Sequence, residues 1–360
     1  MQRARELSVY NRPTRRHHAP MPTHPSIGIL GSGSWGTAVA HVIRSNGHPT
    51  LLWGRDREVL DAVARQRVNP RYLPEHTLAE GIETTTELHE VATRCQLIFV
   101  VVPTKVLRAV VSELSAFLHP DHLLVSCSKG LESGSAKRMT EVLREETCCL
   151  RVGAMSGPNL AAEVMRGDPA ATVVASRYEE VVARATRVLM GRRFRVYGNH
   201  DVLGVELAGA MKNIVAIAAG ASAGLGFGDN TLSLLVTRGL AEMRRIGVRL
   251  GADPMTFAGL AGVGDLMVTC ASPLSRNHQV GVRLARGQSM DQIRAEMRQV
   301  AEGVSTTAVV HELTRKLELP AHITRAVYGL AHEGRHPEAV LGEVMAVEAM
   351  YEVDQPIAAR

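Results

Sequence analysis

The segment GILGSGSWGTAVA, residues 28–40, decides how this sequence folds. It starts as an apolar run, breaks at Gly31, Gly33 and Gly36, and resumes as a helical pattern at Ser34. In a GxGxxG turn between a strand and a helix, the glycines permit a tight turn, close approach of the backbone to a pyrophosphate, and close helix–strand packing. The N–H groups at the start of the helix attract phosphate. The segment therefore predicts a dinucleotide site, with a purely structural turn as the alternative.

Strands and helices alternate around this turn as far as about residue 200. Apolar runs predict strands at Ile27–Leu30, before Trp53, at 95–103, within 121–130, and near 151–155, 171–176 and 193–197, with helices at 34–46 and 105–117. This alternation predicts a mostly parallel, doubly wound α/β sheet of the Rossmann type. Beyond Asp201 the patterns are helical, near 202–223, 230–250, 291–299, 305–317, 321–333 and 336–348.

We therefore expect two folded domains in the 360 residues. A dinucleotide-binding domain of the Rossmann type is predicted for 25–199, and an all-α substrate and catalytic domain for 200–350. A disordered leader (1–24) and a tail (351–360) flank them. The 45% hydrophobic content is sufficient for cores of this size.

The formal net charge of +5 is concentrated at the N-terminus. Residues 1–20 contain Glu6 and five arginines, Arg3, Arg5, Arg12, Arg15 and Arg16, so about +1 remains for the other residues. A body with so little net charge lacks the basic field of a nucleic-acid-binding protein. The leader has no apolar face and is expected to be disordered. Initiation at Met21 and an arm that binds phospholipid surfaces are alternative interpretations of it.

Cysteine spacing and apolar runs indicate the compartment. The five cysteines show no CxxC or Cys/His spacing, so we expect neither a disulfide framework nor a metal site. Residues 1–24 contain no apolar signal-peptide core, which favours a cytoplasmic protein. Ala208–Gly226 is long enough to cross a membrane. Its Ala and Gly content, with Lys212 and Asn213 near its start, favours a buried helix of a soluble domain instead.

The end of the second predicted strand indicates the choice of cofactor. Proteins that bind NAD usually place an acidic residue there to accept a hydrogen bond from the ribose 2′-OH. This chain has Arg55 first and Asp56 only afterwards. A guanidinium at this position pairs with a 2′-phosphate, so NADPH is favoured and NADH stays an alternative. A solvated surface charge is the other interpretation of Arg55.

Lys212 is the most unusual ionisable residue in the helical half. Its neighbours one turn away are Ala208, Gly209, Val215 and Ala216, so no carboxylate on the same helix compensates its charge. Such a lysine either extends to solvent or is held in a cleft by another segment. In a cleft, burial lowers its pKa toward values that suit proton transfer.

Four further segments carry groups that suit a small anionic substrate. Asp265 ends a glycine-rich loop, Lys129 follows the carboxyl end of a strand, and the pair Gly157 and Asn159 lies in a turn. Ligands of doubly wound sheets bind at such strand ends. The predicted helix start at Ser275, Arg276 and Asn277 is an anion site. Each motif alone is compatible with a turn or a helix cap; together they predict a cleft with two lysines, one carboxylate and an anion clamp.

The sequence resembles the bacterial-type NAD(P)-dependent glycerol-3-phosphate dehydrogenases. The resemblance runs in order from about residue 26 to 350 through GSGSWGTAVA, LWGR, VPTK, SKGLE, SGPN, AMKN, GVGDL, SRN and AEGV. It implies reduction of dihydroxyacetone phosphate to sn-glycerol 3-phosphate by NADPH, with NADH as an alternative, for phospholipid synthesis. Lys105 replaces a residue that is often His or Gln in the family, and residues 1–20 lie outside the match.

The resemblance also implies roles for individual residues. It implies that Lys212 is the proton donor and acceptor, with Lys129 and Asp265 beside the reacting atoms. The implied substrate contacts are Lys129, Gly157, Asn159, Lys212, Asp265, Ser275, Arg276 and Asn277. The implied cofactor contacts are Gly31, Gly33, Ser34, Trp35, Gly36, Arg55, Lys129, Ala161, Arg276, Val300 and Glu302.

Two other function classes stay open at this stage. A β-hydroxyacid or 6-phosphogluconate-type dehydrogenase has the same domain plan and a helix lysine, but it needs a carboxylate clamp. A non-catalytic NADPH-binding regulator needs the glycines but not Lys212, Asp265 and Arg276 together. No metal is expected in any of these classes, and the sequence leaves open whether the chain forms a homodimer.

Overall fold

The computed structural model describes residues 26–297 and 301–345. The leader, the tail and Val300 lie outside the described residues.

One eight-stranded sheet organises the first half. Its strands are β1 (Ser26–Leu30), β2 (Thr50–Trp53), β3 (Ile82–Thr85), β4 (Cys95–Val100), β5 (Leu123–Ser126), β6 (Val152–Ser156), β7 (Ala170–Ser176) and β8 (Phe194–Asn199). Their order is β3-β2-β1-β4-β5-β6-β7-β8. Neighbouring strands are parallel except β6 and β7. The predicted mostly parallel, doubly wound α/β sheet is therefore confirmed.

Helices cover both faces of this sheet because its central strands are apolar on both sides. They are α1 (Ser34–Ser45), α2 (Arg57–Gln66), α3 (Leu88–Arg94), α4 (Thr104–Ser115), α5 (Met139–Glu146), α6 (Ala161–Arg166) and α7 (Glu179–Leu189). In β4, Leu97 and Phe99 belong to the core on one face, and Ile98 and Val100 to the core on the other. Alternation along a strand sends successive side chains to opposite faces.

The second half is helical throughout its described residues. It comprises α8 (Val202–Gly224), α9 (Asp229–Arg249), α10 (Pro254–Ala258), a π-helical turn (Leu260–Gly264), α11 (Asp265–Ala271), α12 (Arg276–Ala285), α13 (Met290–Glu296), α14 (Glu302–Lys316), α15 (His322–His332) and α16 (Pro337–Met345). The strand-to-helix change after Asn199 is where the sequence patterns predict it, and the all-α character is confirmed for the described residues.

Helix α8 is the centre of this half. It is long and apolar enough to cross a membrane, and most of it is buried against other helices of the same chain. A Cβ at Gly220 would lie 1.9 Å from the carbonyl oxygen of His278 in α12, and one at Gly281 would lie 2.0 Å from that of Ile217. The small residues therefore allow backbone contact between α8 and α12. The composition that resembles a membrane span is explained by this close packing.

Candidate active site

The glycine turn after β1 is determined by backbone geometry. Gly31 has φ +123°, where a side chain is strained, and a Cβ there would lie 2.8 Å from the carbonyl oxygen of Val101. A Cβ at Gly36 would lie 1.8 Å from the carbonyl oxygen of Gly31. These two glycines let α1 pack directly against the end of β1. Both positions are therefore restricted to glycine by the fold itself.

Gly33, the middle glycine of the turn, faces open space that suits a bound pyrophosphate. A Cβ built on Gly33 meets no atom within 4 Å, so a side chain there would fill open space beside the turn. The N-terminus of α1 has no side-chain cap and no acidic residue in its first turn. It lies between β1 and β4, where the strand order reverses, the usual site for nucleotides in such sheets. The residues present therefore fit a dinucleotide.

Two further predicted cofactor residues lie next to the turn. Trp35 in the first turn of α1 and Ala161 at the start of α6 are partly buried against the same apolar core. Arg55 is exposed just beyond β2. Its neighbour Asp56 caps α2 by accepting a hydrogen bond from the Val59 N–H. The predicted cofactor residues of the first half therefore lie along one edge of the sheet, at the carboxyl ends of β1, β2 and β6.

A carboxylate between two lysines lies where the sheet meets the helical half. The Lys129 Nζ donates to Asp265 Oδ2 at 2.6 Å, and the Lys212 Nζ donates to Asp265 Oδ1. The Asp265 side chain is 2% exposed, that of Lys212 7%, and that of Lys129 17%. Only Lys129 of the three has an appreciably open side. The structure thus brings together three predicted site residues that are far apart in the sequence.

Three separate elements hold this cluster. Lys129 follows β5, Lys212 lies in the middle of α8, and Asp265 is the first residue of α11 after the π-helical turn. Two polar residues that the sequence analysis did not select complete it. Thr269, one turn after Asp265, accepts a hydrogen bond from the Lys212 Nζ at 2.7 Å, and Ser156 at the end of β6 donates to Asp265 Oδ2 at 3.3 Å. Thr269 lies one helical turn after Asp265, but α11 is too short to show a helical period, so the sequence carries no signal for the threonine.

Burial and mutual charge shift the pKa values of the cluster. Burial lowers the pKa of Lys212, Asp265 opposes this and Lys129 adds to it, so that the Lys212 pKa is about 8. Burial by itself would raise the pKa of Asp265, but the two adjacent lysines outweigh burial and hold it below the usual range. Near neutral pH, Asp265 is therefore ionised and Lys212 is within about one unit of its own pKa. Such a lysine can both give and take a proton.

The N-terminus of α12 faces the same junction. Ser275 is its N-cap, with the side chain accepting from the His278 N–H at 3.3 Å, and Arg276 is its first residue. The Asn277 side chain donates to Asn213 Oδ1 at 2.8 Å and accepts from the Gly303 N–H at 3.0 Å. The Asn277 side-chain nitrogen and oxygen are thus each engaged in one hydrogen bond within the protein, while its backbone N–H lies in the first turn of α12. The first turn of α12 presents the N–H groups and dipole that suit a phosphate.

Asn213, beside Lys212 in α8, was missed as a site residue. Its side-chain nitrogen donates to the carbonyl oxygen of Lys129 at 3.2 Å, while its oxygen accepts from Asn277. One amide thus connects the segment after β5 that carries Lys129 with the helix that carries Arg276. An asparagine beside a lysine is no signal in the sequence, because this link depends on how α8 and α12 cross.

Glu302 joins the helical half to the glycine-turn side of the sheet. Its Oε1 accepts from the Thr104 N–H at 2.9 Å at the start of α4. Burial raises the Glu302 pKa, and the Thr104 N–H and the charge of Arg276 oppose that shift. Glu302 therefore contacts the start of α4 beside the sheet and lies close enough to Arg276 to feel its charge. Val300, predicted with them, lies outside the described residues.

One buried polar atom near the cluster has no hydrogen-bond partner. Among the described residues, Asn159 Oδ1 is the buried side-chain oxygen without a donor, although its Nδ2 donates to Thr172 at 3.1 Å. The adjacent Gly157 carbonyl oxygen accepts from the Lys129 Nζ at 3.0 Å. An orphaned buried acceptor costs about 1–3 kcal/mol, which a ligand donor would recover. Asn159 therefore fits a ligand hydroxyl beside the Lys129 ammonium.

Two family models cover most of the described chain. The model for the N-terminus of NAD-dependent glycerol-3-phosphate dehydrogenase matches residues 26–182, and the model for the C-terminus matches 201–342. The chain belongs to this family. The resemblance on which the sequence analysis relied is thereby confirmed.

Individual members of the family are similar over nearly their whole length. Glycerol-3-phosphate dehydrogenase [NAD(P)+] of Pseudomonas aeruginosa is 45% identical over 93% of this chain and 98% of its own. The enzyme of that name from Halothermothrix orenii is 41% identical over 92% and 97%. The crystal structure of glycerol-3-phosphate dehydrogenase from Coxiella burnetii has a TM-score of 0.86 at 35% identity, covering 90% of this chain and 100% of that one.

More distant structures share the architecture only. A ketopantoate reductase from Ralstonia eutropha superposes with a TM-score of 0.57 at 14% identity, which shows a common fold. Among the described residues, no group of three or more His, Cys, Asp or Glu side chains is arranged to hold a metal ion.

Proposed function

We propose that this chain catalyses the reversible, NAD(P)H-dependent reduction of dihydroxyacetone phosphate to sn-glycerol 3-phosphate. The observation that carries this proposal is the Lys129–Asp265–Lys212 cluster, which joins the carboxyl end of β5 to α8 and α11 of the helical half. The start of α12, the proposed phosphate site, is attached to α8 beside Lys212 by the hydrogen bond from Asn277 to Asn213. The names of the curated relatives agree with it. The bound nicotinamide supplies a hydride to the carbonyl carbon, while proton transfer and orientation fall to the chain.

Lys212 serves as the general acid in the reduction and as the general base in the reverse reaction. Its hydrogen bonds to Asp265 and Thr269 fix the position of the Nζ. The reduced carbonyl oxygen needs a proton, and general acid catalysis of this kind contributes about 10²–10⁴-fold. A pKa near 8 lets one group donate and accept this proton at physiological pH.

Lys129 and Asp265 act on the same oxygen in different ways. Lys129 is the more open of the two lysines and supplies positive potential toward the negative charge that develops on the carbonyl oxygen. Asp265 accepts hydrogen bonds from both ammonium groups, so it orients them and keeps two buried cations from repelling each other. Neither residue need change its protonation state during turnover.

The substrate is oriented by its two ends. Arg276 and the first N–H groups of α12, capped by Ser275, hold the phosphate, and Asn159 accepts a hydrogen bond from the hydroxyl beside the turn at Gly157. Binding of the remote phosphate thus aligns the carbonyl with Lys212 and the nicotinamide. The N–H of Asn277 contributes, while its amide holds Asn213 and Gly303.

NADPH is the preferred cofactor, with NADH as a weaker one. Gly31, Gly33 and Gly36 with the start of α1 at Ser34 and Trp35 hold the pyrophosphate, and Arg55 pairs with the 2′-phosphate. The remaining cofactor contacts are Lys129, Ala161, Arg276, Val300 and Glu302. The product supplies glycerophospholipid synthesis in the cytoplasm, and a homodimer is the proposed assembly.

A substrate panel tests this proposal. NADPH oxidation is measured with dihydroxyacetone phosphate and with a set of keto acids. In the reverse direction, NADP+ reduction is measured with sn-glycerol 3-phosphate and with a set of hydroxy acids that includes 6-phosphogluconate. Turnover restricted to dihydroxyacetone phosphate and sn-glycerol 3-phosphate is the expected result. Turnover of the acids would favour a β-hydroxyacid or 6-phosphogluconate-type dehydrogenase. NADPH binding without any turnover would indicate a regulator.

A further inference from the structure

Residues 67–79, which we call the strap, form an irregular segment between α2 and β3 and lie against the glycine turn. Both ends of the strap are held. The Arg67 side-chain Nε donates to the Leu78 carbonyl oxygen at 2.9 Å, and the Leu78 N–H donates to the Arg67 carbonyl oxygen at 2.8 Å. The Ala79 N–H donates to Nδ1 of His41 on α1 at 3.0 Å. Leu73 and Leu78 are buried in the core of the first half. The strap is therefore a fixed part of the nucleotide-binding half.

Asn69 attaches the strap to the glycine turn directly. Its Nδ2 donates to the carbonyl oxygen of Ser32 at 2.9 Å and to the Thr37 hydroxyl at 2.8 Å, and the residue is fully buried. Its Oδ1 accepts from the Tyr72 N–H at 3.1 Å, which sets the turn that carries Arg71. A single buried amide thus fixes Arg71 relative to the phosphate-binding turn.

Arg71 reaches from the strap to the end of β2. Its Nη1 donates to Asp56 Oδ2 at 3.0 Å, and its guanidinium lies 5.6 Å from the centre of the Tyr72 ring. The side chain is still 47% exposed, so it has donors directed to solvent. Asp56 is adjacent to Arg55 in sequence, so Arg71 lies at the corner where the adenosine ribose of a bound cofactor ends.

The two oxygens of Asp56 are both engaged. Oδ1 accepts from the Val59 N–H at 3.3 Å as the cap of α2, and Oδ2 accepts from Arg71. In proteins that bind NAD, an acidic side chain at the end of this strand accepts from the ribose 2′-OH. In this chain Arg71 forms an ion pair with the Asp56 carboxylate. The ion pair offsets the negative charge of Asp56, which would otherwise repel a 2′-phosphate.

We propose that Arg71 is a second specificity-determining cation for the cofactor 2′-phosphate, held in place by Asn69 and acting with Arg55. This inference rests on the proposed NADPH preference and adds a residue to it. Arg71 donates to a 2′-phosphate through the guanidinium N–H groups that Asp56 leaves available.

The test measures binding rather than turnover. Titration calorimetry at about 0.15 M salt gives the Kd of adenosine 2′,5′-bisphosphate and of 5′-AMP for the full-length protein and its variants. These ligands differ in the 2′-phosphate alone. For Arg71→Gln we expect the Kd of the bisphosphate to rise about tenfold relative to the unsubstituted protein. The effect is no larger because a partly exposed charge-assisted bond is weaker than a buried one. The Kd of 5′-AMP should stay within about twofold of its value in the unsubstituted protein. Arg65→Gln, a similarly exposed arginine later in α2, should change neither Kd.

A double variant separates direct contact from neutralisation of Asp56. Asp56→Asn keeps a competent cap for α2 but removes the negative charge. If Arg71 contacts the phosphate, Asp56→Asn/Arg71→Gln binds the bisphosphate more weakly than Asp56→Asn alone. Equal affinities of these two variants, or an unchanged bisphosphate Kd in Arg71→Gln, would overturn the inference. A wild-type protein that binds both ligands equally would instead contradict the proposed NADPH preference.

Discussion

The two ends of the proposed cofactor and substrate cleft use cations beside a carboxylate in opposite environments. At the reacting end, Lys129 and Lys212 share the buried Asp265. At the adenosine end, Arg71 pairs with Asp56 while both side chains are more than a third exposed. Water screens the charges of Arg71 and Asp56 but not those of the buried lysine–aspartate cluster. The interaction energy between opposite charges is therefore much larger in the cluster. Burial shifts pKa values for proton transfer, whereas exposure leaves charges that discriminate ligands by modest factors.

The largest effect is expected from removing the buried ammonium. Lys212→Met keeps most of the side-chain volume in α8, and Lys129 remains as the counterion of Asp265. We expect kcat for dihydroxyacetone phosphate to fall by about 10²–10⁴ with NADPH binding retained, because only the proton donor is lost. The measurements are steady-state kinetics and tryptophan fluorescence on NADPH addition. The exposed Lys316→Met is the matched control, and a Lys212→Met enzyme with more than a tenth of the normal kcat would contradict the assigned role.

The phosphate anchor should have the next largest effect. Arg276→Ala is expected to lower kcat/KM for dihydroxyacetone phosphate at least about 100-fold, equivalent to about 2.7 kcal/mol, because the anchor is used in both ground and transition states. Unphosphorylated dihydroxyacetone should be little affected by the same change. Arg286→Ala, at the other end of α12, controls for loss of a positive charge. Equal losses on both substrates would assign Arg276 to the cofactor alone.

At the adenosine end the loss should be specific for one cofactor. Arg55→Ala is expected to raise KM for NADPH about ten- to a hundredfold and to leave KM for NADH nearly unchanged, as a charge-assisted bond of about 1.5–3 kcal/mol is lost. Initial rates with each cofactor provide the comparison, with Arg65→Ala as the control. A parallel rise in both KM values would make Arg55 a structural residue.

The smallest expected effect is the change of kcat with pH, which is set by the protonation state of Lys212. Reduction needs the Lys212 ammonium, whose pKa is about 8, so kcat for reduction should be level below that pH and fall about tenfold per unit above it. Oxidation of glycerol 3-phosphate needs the free amine, so its kcat should rise with pH and level off above the same value. Both profiles are measured from pH 6 to 10. In Asp265→Asn the pH above which kcat for reduction falls should be lower, because the carboxylate that raises the Lys212 pKa is gone. If that pH does not change, Lys212 is excluded as the titrating group.

The sequence predicted those parts of the fold that local patterns encode. The glycine turn is readable because Gly31 and Gly36 meet steric limits that no other residue satisfies. Buried strands such as β4 are readable because they are apolar on both faces. Strand β3 was missed because it is a short edge strand, IETT, with an exposed and a partly exposed residue between two buried ones. Helices α10 and α11 were missed because five and seven residues are too few to show a helical period.

The candidate site was only partly predictable for a related reason. Lys212 and Asp265 could be selected because a charge in an apolar helix and a carboxylate in a glycine-rich loop are locally unusual. Thr269 and Asn213 could not, since a threonine and an asparagine in helices are ordinary until their partners are known. The amide of Asn277 illustrates the converse: its motif indicates a ligand contact, while its side-chain atoms bond to Asn213 and Gly303.

The sequence by itself determined the two-part architecture, the dinucleotide turn and the residue types available for chemistry, because these depend on steric limits and hydrophobic periodicity within short segments. The tertiary structure alone decided which charges meet. Asp265 lies 53 residues from Lys212 and 136 from Lys129, and Asp56 lies 15 residues from Arg71. Their pairing and their exposure to water follow from the crossing of α8 with its neighbours and from the attachment of the strap. Charges act through distance and dielectric, and both are properties of the folded chain.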